Sequence, residues 1–257
     1  MGNLYGTTEG GEHSNVSMAF ELTPNADGSW AEKVLHSFPS GSGDGWDLRS
    51  GLIFDGSGNL YGTTFHGGKQ GAGTVFRLAP NMDGSWTESL LHRFNYARAG
   101  AGTNPYGSLI FDAAGNLYGS TLFGGAFNYC YGGCGTVFEL SPNADGSWKH
   151  KVLHQFVGRD GYGPYAGVTF DQAGNLYGTT WLGGDLTCGG FTGGCGVVFK
   201  LAANSNGIWK ESVPHRFIDR PGAQSVAGVA FDPAGNLYGT TEGDGTTTFG
   251  SVFEITP

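Results

Sequence analysis

Eight side chains in the loops of this sequence have the chemistry of a carbohydrate-binding site. Five are aromatic and three carry a polar or charged group; they are Trp46, Arg49, Phe65, His66, Tyr106, Tyr165, Trp181 and Asp185. Aromatic planes suit the apolar C–H faces of sugar rings, and polar groups beside them suit the hydroxyl rims. We therefore predict a glycan-binding site, with packing of these residues against one another as the alternative for each of them.

The same loops hold acidic residues that would suit an enzyme acting on carbohydrates. A glycoside hydrolase needs two carboxyl groups several ångströms apart, and a lyase needs a base with a charge stabiliser. The acids that do not recur from repeat to repeat, as a single active site requires, are Asp44, Asp47, Asp160, Asp185 and Asp219. No spacing selects a pair among them, so a hydrolase or lyase is the second hypothesis. An array that docks other proteins is the third.

One five-residue word, Gly-Asn-Leu-Tyr-Gly, recurs along the chain and organises everything else. Its asparagines are Asn3, Asn59, Asn116, Asn175 and Asn236, so the spacings are 56, 57, 59 and 61 residues. A period of this length predicts an array of one supersecondary unit. The repeats cover about 1–50, 51–107, 108–166, 167–227 and 228–257, which we assign to a single domain, 1–257.

Each repeat contains four short segments with the composition of β-strands. In the second repeat they are a Phe-Asp strand (residues 51–55), a Leu-Tyr strand (60–64), a Val-Phe strand (74–78) and a Trp strand (86–94). Gly, Asn and Asp between them supply turns. Four strands per unit predict an all-β fold, a β-propeller of five blades, with the Phe-Asp strand innermost and the Trp strand outermost.

The strand count leaves the first and last blades incomplete. The Leu-Tyr and Val-Phe strands occur five times, whereas the Phe-Asp strand is missing from the first repeat and the Trp strand from the fifth. We expect mostly four antiparallel strands per blade, with a partner chain or further repeats completing the ring.

Alternation along the Trp strand predicts that Trp86, Leu90, His92 and Phe94 share one face. A histidine recurs at the His92 position in four repeats, so these rings are spread around the array and cannot converge on one metal. We interpret them as structural residues and predict no metal site.

Four cysteines form two local pairs in the longest loops of the third and fourth repeats. The pairs are Cys130 with Cys134, and Cys188 with Cys195. A loop insertion that brings its own pair of cysteines predicts a disulfide formed in an oxidising compartment. The alternatives are free thiols and a zinc site built from all four thiolates, which would need both loops to meet.

Composition narrows the classes of partner. The 257 residues carry 13 basic and 22 acidic side chains, a net charge of −9, which repels phosphate backbones and argues against nucleic-acid binding. No segment approaches the length of a membrane span. No cofactor-binding motif is present, so we expect a glycan or protein ligand and no cofactor. Met1 leads directly into a repeat strand, and we expect that an export signal has been removed, with a cytoplasmic protein as the alternative.

In its recurring sequence motifs the chain resembles the choice-of-anchor tandem-repeat GloVer family of bacterial surface proteins. The matching features are GNLYGTT, the Gly-Gly loops at 67–68, 124–125 and 183–184, the GTVF strand, and Leu-His-x-Phe at the end of the Trp strand. The resemblance covers essentially the whole chain. It implies an exported protein, extracellular or at the cell surface, whose parent carries a C-terminal anchor. It implies no reaction and transfers no catalytic residues.

Overall fold

The computed structural model describes residues 2–10, 16–68, 70–126, 130–188, 193–218, 222–243 and 249–256. These residues form antiparallel sheets, so the prediction of an all-β fold is confirmed. Within the described residues, Tyr96–Ala101 forms a 3-10 helix. No helix in the described part of the chain is long and apolar enough to cross a membrane.

The described strands form five sheets, which follow the repeats in order. The first sheet contains β1 (Leu4–Thr8), β2 (Val16–Pro24) and β3 (Trp30–Pro39). The second contains β4 (Ile53–Phe54), β5 (Leu60–Thr64), β6 (Thr74–Pro80) and β7 (Trp86–Arg93). The third contains β8 (Thr103–Pro105), β9 (Ile110–Phe111), β10 (Leu117–Phe123), β11 (Thr136–Pro142) and β12 (Trp148–Gln155), and both β8 and β9 pair with β10.

The last two sheets repeat the same order of strands. The fourth contains β13 (Thr169–Phe170), β14 (Leu176–Thr180), β15 (Val197–Ala203) and β16 (Trp209–Arg216). The fifth contains β17 (Ala230–Phe231), β18 (Leu237–Thr241) and β19 (Ser251–Ile255). Among the described residues, the first sheet therefore has no Phe-Asp strand and the fifth has no Trp strand.

The turn between the Phe-Asp and Leu-Tyr strands is held by one aspartate. The carboxylate of Asp55 accepts bonds from the backbone N–H of Ser57 and Asn59, from the Asn59 side chain and from the Tyr61 hydroxyl, at 2.7–2.9 Å. In the first sheet Asn3 and Tyr5 donate to Glu21 instead. The asparagine of this motif bonds a carboxylate in every sheet, and its tyrosine does so in the first, second, third and fifth.

The second glycine of the word leaves room for a phenylalanine. Gly62 in β5 lies opposite Phe76 in β6, and a Cβ at Gly62 would stand 2.6 Å from the Phe76 Cζ. The same pairing occurs between Gly119 and Phe138. A side chain at this position would therefore displace a fully buried ring.

The Trp strand carries a β-bulge, which corrects the predicted alternation. Val75 pairs with His92 and Phe76 with Leu90, so Leu91 is an extra residue on β7. The bulge puts His92 and Phe94 on the face opposite to Trp86 and Leu90. Trp86 and Leu90 accordingly pack with the first sheet, whereas Phe94 packs with the third. The prediction that they share one face is wrong.

Successive sheets pack through the same two ring contacts at each junction. The Tyr of the Leu-Tyr strand meets the Phe of the next Phe-Asp strand edge-on, with centroids 4.8–5.2 Å apart, in the pairs Tyr5–Phe54, Tyr61–Phe111, Tyr118–Phe170 and Tyr177–Phe231. The Phe at the end of the Trp segment meets that of the next Val-Phe strand at 4.8–5.3 Å, in the pairs Phe38–Phe76, Phe94–Phe138, Phe156–Phe199 and Phe217–Phe253. The core is thus a series of repeated junctions.

The outward faces of the first and last sheets are exposed because no described sheet covers them. Val252 in β19 is 79% exposed, whereas Val75, Val137 and Val198 at the equivalent positions are fully buried. Leu4 in β1 is likewise exposed, whereas its counterpart Leu60 is buried. The burial of these positions depends on a neighbouring sheet, not on the strand itself.

Candidate functional site

The segment that leads into each Phe-Asp strand pairs with an extension of the Leu-Tyr strand. At the third sheet this lead-in segment is β8, which pairs with Thr121 and Phe123 of β10. At the second and fourth sheets it forms the bridges Trp46–His66 and Tyr162–Leu182. This ladder, which the sequence analysis did not predict, fixes the loops on the side of the fold where the candidate residues lie.

Each lead-in segment turns through a residue with positive φ. These residues are Asp47 (65°), Asn104 (59°), Gly163 (66°) and Gln224 (60°). The non-glycine members have a conformation that L-residues rarely adopt, which is tolerated where surrounding structure enforces it. The N–H groups of the last three donate to the carbonyls of Ala72, Cys134 and Cys195, which lie just before the Val-Phe strand of the preceding sheet. The turn is thereby tied to the neighbouring sheet.

Two residues after each turn, one side chain per repeat lines a common cavity. The four are Arg49, Tyr106, Tyr165 and Val226, and the cavity, which we call the inner cavity, has a volume of about 430 Å³. Gly107, Ser108, Ala166 and Gly167, which have small side chains or none, also line it. One structural position therefore carries three different residue types, Arg, Tyr and Val, around a single depression.

Six rings extend from this cavity in a continuous series, which we call the aromatic row. In order they are Trp46, His66, Phe65, Tyr106, Tyr165 and Trp181, with successive centroids 4.6, 4.7, 5.9, 4.8 and 5.5 Å apart. Phe65 is nearly buried and the other five are partly exposed. The row offers several ring surfaces to a ligand while its members hold one another in place.

Arg49 lies over the middle of the row and is bound on both sides by carboxylates. Its Nε donates to Asp47 at 2.8 Å and its Nη2 pairs with Glu9 at 2.9 Å. Its guanidinium carbon is 4.6 Å from the Phe65 centroid and 5.4 Å from that of Tyr106, within cation–π range. Partial burial acts to lower the pKa of Arg49, but the bond and charge of Asp47 raise it overall.

The charges of this cluster leave no unpaired cation. One guanidinium faces the carboxylates of Asp47 and Glu9, and the Nε2 of His66 lies 3.8 Å from the second oxygen of Asp47. Burial raises the pKa of Tyr165, so its phenol is neutral at physiological pH and can donate a hydrogen bond. The surface of the row is therefore neutral to slightly acidic.

The structure brings seven of the eight sequence-predicted residues together and leaves Asp185 apart. The carboxylate of Asp185 accepts bonds from the backbone N–H and the hydroxyl of Thr187, at 2.9 and 2.7 Å, within its own turn. Glu9 belongs to the cluster but was missed, because the sequence gives no sign that it approaches Arg49. The position that lines the inner cavity could have been found by comparing, between repeats, the residue that lies two positions after each lead-in turn.

The acids considered for catalysis do not converge in the described structure. Asp44 lies 3.8 Å from His36, and the Asp160 carboxylate accepts a hydrogen bond from His154 Nε2 at 3.0 Å; both acids lie beside the Trp strands. Asp47 is bound to Arg49. Asp219 lies outside the described residues. Among the residues that are described, no three His, Cys, Asp or Glu side chains form a group that could hold a metal ion.

The two predicted cysteine pairs are disulfides in the structure. Cys130–Cys134 and Cys188–Cys195 have Cα–Cα distances of 5.1 and 5.8 Å. The second cysteine of each pair takes the buried position of Ala72 in the second repeat. Each disulfide thus links its loop to Cys134 or Cys195. The backbone carbonyl of that cysteine accepts a hydrogen bond from the next lead-in segment.

The repeat itself matches a known family. A sequence profile described as the Gloeobacter/Verrucomicrobia repeat matches residues 1–191. The chain belongs to this repeat family. A search of curated proteins finds no match. The membership agrees with the resemblance drawn from the GNLYG word and brings no assigned reaction with it.

A solved structure is similar to this repeat protein in fold. It is the crystal structure of a putative 6-phosphogluconolactonase from Bacteroides uniformis, with a TM-score of 0.59 and 14% sequence identity. The match covers 99% of this chain and 65% of the other, so the chain spans somewhat less than two thirds of that protein. At this identity the likeness shows a propeller-like fold alone.

Proposed function

We propose that this repeat protein is an exported, non-enzymatic binding module that binds a neutral glycan through the aromatic row. The observation that supports this is the row itself, in which Tyr106 and Tyr165 border a cavity of about 430 Å³ and Trp181 contacts Tyr165. Partly exposed rings beside phenol hydroxyls and backbone amides suit a ligand with apolar faces and a polar rim.

The charge of the cluster favours a neutral ligand over a carboxylated one. Arg49 is already paired with Asp47 and Glu9, so it has no free charge for a uronate. A carboxylated sugar would meet the two acids as well as the arginine, and like charges placed against each other disfavour a partner. Selectivity for neutral sugars follows from this pairing.

The sheets fit a five-bladed arrangement around the inner cavity. Residues leading into four successive Phe-Asp strands line that single depression, as expected if these strands stand nearest a common axis. A partner chain or further repeats would cover the open faces of the first and last sheets. The two disulfides support an oxidising, extracellular location.

A carbohydrate-active hydrolase or lyase is less favoured, because the described acids are engaged separately. Asp44 and Asp160 lie beside histidines of the Trp strands, and Asp185 closes a turn. The structural neighbour is named for action on a sugar-phosphate lactone, but 14% identity gives no ground for assigning that activity here.

Calorimetric titration with neutral and carboxylated oligosaccharides tests the proposal. We expect saturable binding of at least one of cellohexaose, xylohexaose or maltohexaose, and weaker binding of oligogalacturonate. Tyr106→Ala should weaken the interaction about tenfold or more. Trp30→Ala is the matched control, because Trp30 is a partly exposed aromatic residue on β3 outside the row.

Each alternative predicts a different result. If the folded protein binds none of these sugars and co-purifies with another protein, it is an interaction array. Release of reducing ends or unsaturated products, abolished by one Asp→Ala change, would make it an enzyme.

A further inference from the structure

A second depression adjoins the aromatic row on the other side of Phe65. This rim cavity has a volume of about 430 Å³, and its main lining residues are Phe65, His66, Tyr96, Asn104, Phe123 and Tyr131. Its walls are mostly aromatic. Phe65 and His66 belong to both the row and the rim cavity, and Phe65 contacts Tyr106 of the inner cavity at a centroid distance of 5.9 Å.

Asn104 holds the floor and one wall of the rim cavity together. It is 2% exposed and has the positive φ of its lead-in turn. Its side-chain amide donates to the Phe65 carbonyl at 3.0 Å, and its side-chain oxygen accepts from the Tyr96 hydroxyl at 3.0 Å. The positions of two lining rings are therefore set by one buried polar side chain.

The opposite wall is Tyr131, which a disulfide loop presents to solvent. Tyr131 is 97% exposed, although the loop around it is tightly bound. Cys130 is linked to the buried Cys134, and the Gly132 carbonyl accepts from the Gly124 N–H at 2.8 Å. An aromatic side chain held on a stapled loop loses little conformational freedom on binding, which favours affinity.

We propose that the rim cavity is a second sugar subsite and that the ligand is an oligosaccharide running from Tyr165 and Tyr106, across Phe65 and His66, to Tyr131. This rests on the proposed function of the aromatic row. A short sugar fills the inner cavity alone. A longer chain also reaches Tyr131, and the contacts of the two subsites add within one molecule.

A comparison of chain lengths tests this subsite. Cello-, xylo- and malto-oligosaccharides of two and six units are titrated against the wild type, Tyr131→Ala and Tyr106→Ala. We expect the hexamer of the binding series to bind at least tenfold more tightly than the dimer. Tyr131→Ala should weaken hexamer binding about five- to tenfold and leave the dimer unchanged, whereas Tyr106→Ala should weaken both. Tyr131 is fully in solvent, so its removal does not threaten folding.

Removal of the Cys130–Cys134 disulfide is an independent test of the subsite. The double variant Cys130→Ser/Cys134→Ser should reproduce the hexamer-specific loss, whereas Cys188→Ser/Cys195→Ser should leave the difference between hexamer and dimer unchanged. Should either double variant unfold, Tyr131→Ala alone decides the matter.

The outcomes separate the two proposals. Equal affinity for dimer and hexamer, or an equal effect of Tyr131→Ala on both, overturns the second subsite and leaves glycan binding intact. Absence of binding to every sugar in the wild type overturns both.

Discussion

Tyr118 and Tyr165 are the same amino acid in two regions of the molecule with different surroundings. Tyr118 is 5% exposed and meets Phe170 of the next sheet edge-on at 5.2 Å. Tyr165 is partly exposed and lies between Tyr106 at 4.8 Å and Trp181 at 5.5 Å. Both make ring contacts of similar geometry, so the contact alone does not tell packing from binding.

Recurrence along the chain distinguishes the two tyrosines. The position of Tyr118 is tyrosine in all five repeats, because every junction between sheets needs a ring to meet the next Phe-Asp strand. The position of Tyr165 is Arg49, Tyr106 and Val226 in the other described repeats, although the backbone turn before it is the same. A shared backbone with varying side chains is expected where one surface serves one ligand.

The largest expected effect comes from truncating a ring at a repeated junction. Phe138 is fully buried and meets Phe94 of the preceding sheet at 5.3 Å, so Phe138→Ala should lower the free energy of unfolding by about 3–5 kcal/mol. Tm should fall by roughly 10 °C. Tyr165→Ala is the matched comparison and should change Tm far less while weakening glycan binding. Thermal and denaturant unfolding measure both variants; equal losses of stability would erase the distinction between the two regions.

A smaller effect is expected where a glycine of the repeated word faces a buried ring. In Gly62→Ala the new Cβ would meet Phe76 at 2.6 Å and Leu52 at 3.0 Å, so we expect a loss of about 1–3 kcal/mol from overpacking. Gly56→Ala in the same repeat is the control, because a Cβ there meets nothing within 4 Å. Denaturant unfolding should give a lower midpoint for Gly62→Ala than for Gly56→Ala. An unchanged midpoint in Gly62→Ala would show that the Phe76 ring can move to accommodate the new methyl group.

The repeated part of this fold could be predicted from sequence, and its irregular part could not. Strands, turns and the two disulfides follow from recurring words and paired cysteines. The bulge at Leu91 could not be predicted, because Leu90 and Leu91 are both apolar and either can face a neighbouring sheet. The lead-in ladder is equally hidden, since Asp47 and Asn104 share a backbone turn but no side chain.

Within the candidate site, residue type indicated the rings but not their partners. Tyr106 and Tyr165 were identified because aromatic side chains in variable loops suit a sugar ligand. The pairing of Arg49 with Glu9 depends on two segments of different sheets meeting, which no local pattern records. Asp185 shows the opposite case, because its Thr187 neighbour satisfies the carboxylate within the turn.

The smallest expected effect concerns a glutamate on the Trp strand. Its side chain is partly buried in the second sheet and exposed in the first. Glu88 in β7 is partly buried, and its Oε1 has no hydrogen-bond partner; Glu32 is the equivalent, exposed residue in β3. Burial first, and then the charge of Asp44, raise the pKa of Glu88 to about 7 from the ordinary 4.5. The folded state therefore holds the proton more tightly than the unfolded state.

The direction of the pH dependence follows from this raised pKa. The protonated Glu88 favours folding below about pH 4.5, and that contribution is lost as the pH rises through about 7. Glu88→Gln, which keeps a neutral group, should raise Tm by about one or two degrees at pH 8 and leave it unchanged at pH 4, the effect being small because solvent screens the half-exposed carboxylate. Glu32→Gln should show no such difference between the two pH values. If Glu32→Gln and Glu88→Gln respond alike, a preceding sheet is not what sets the environment of this position, and the contrast between covered and open faces of the repeats is lost with it.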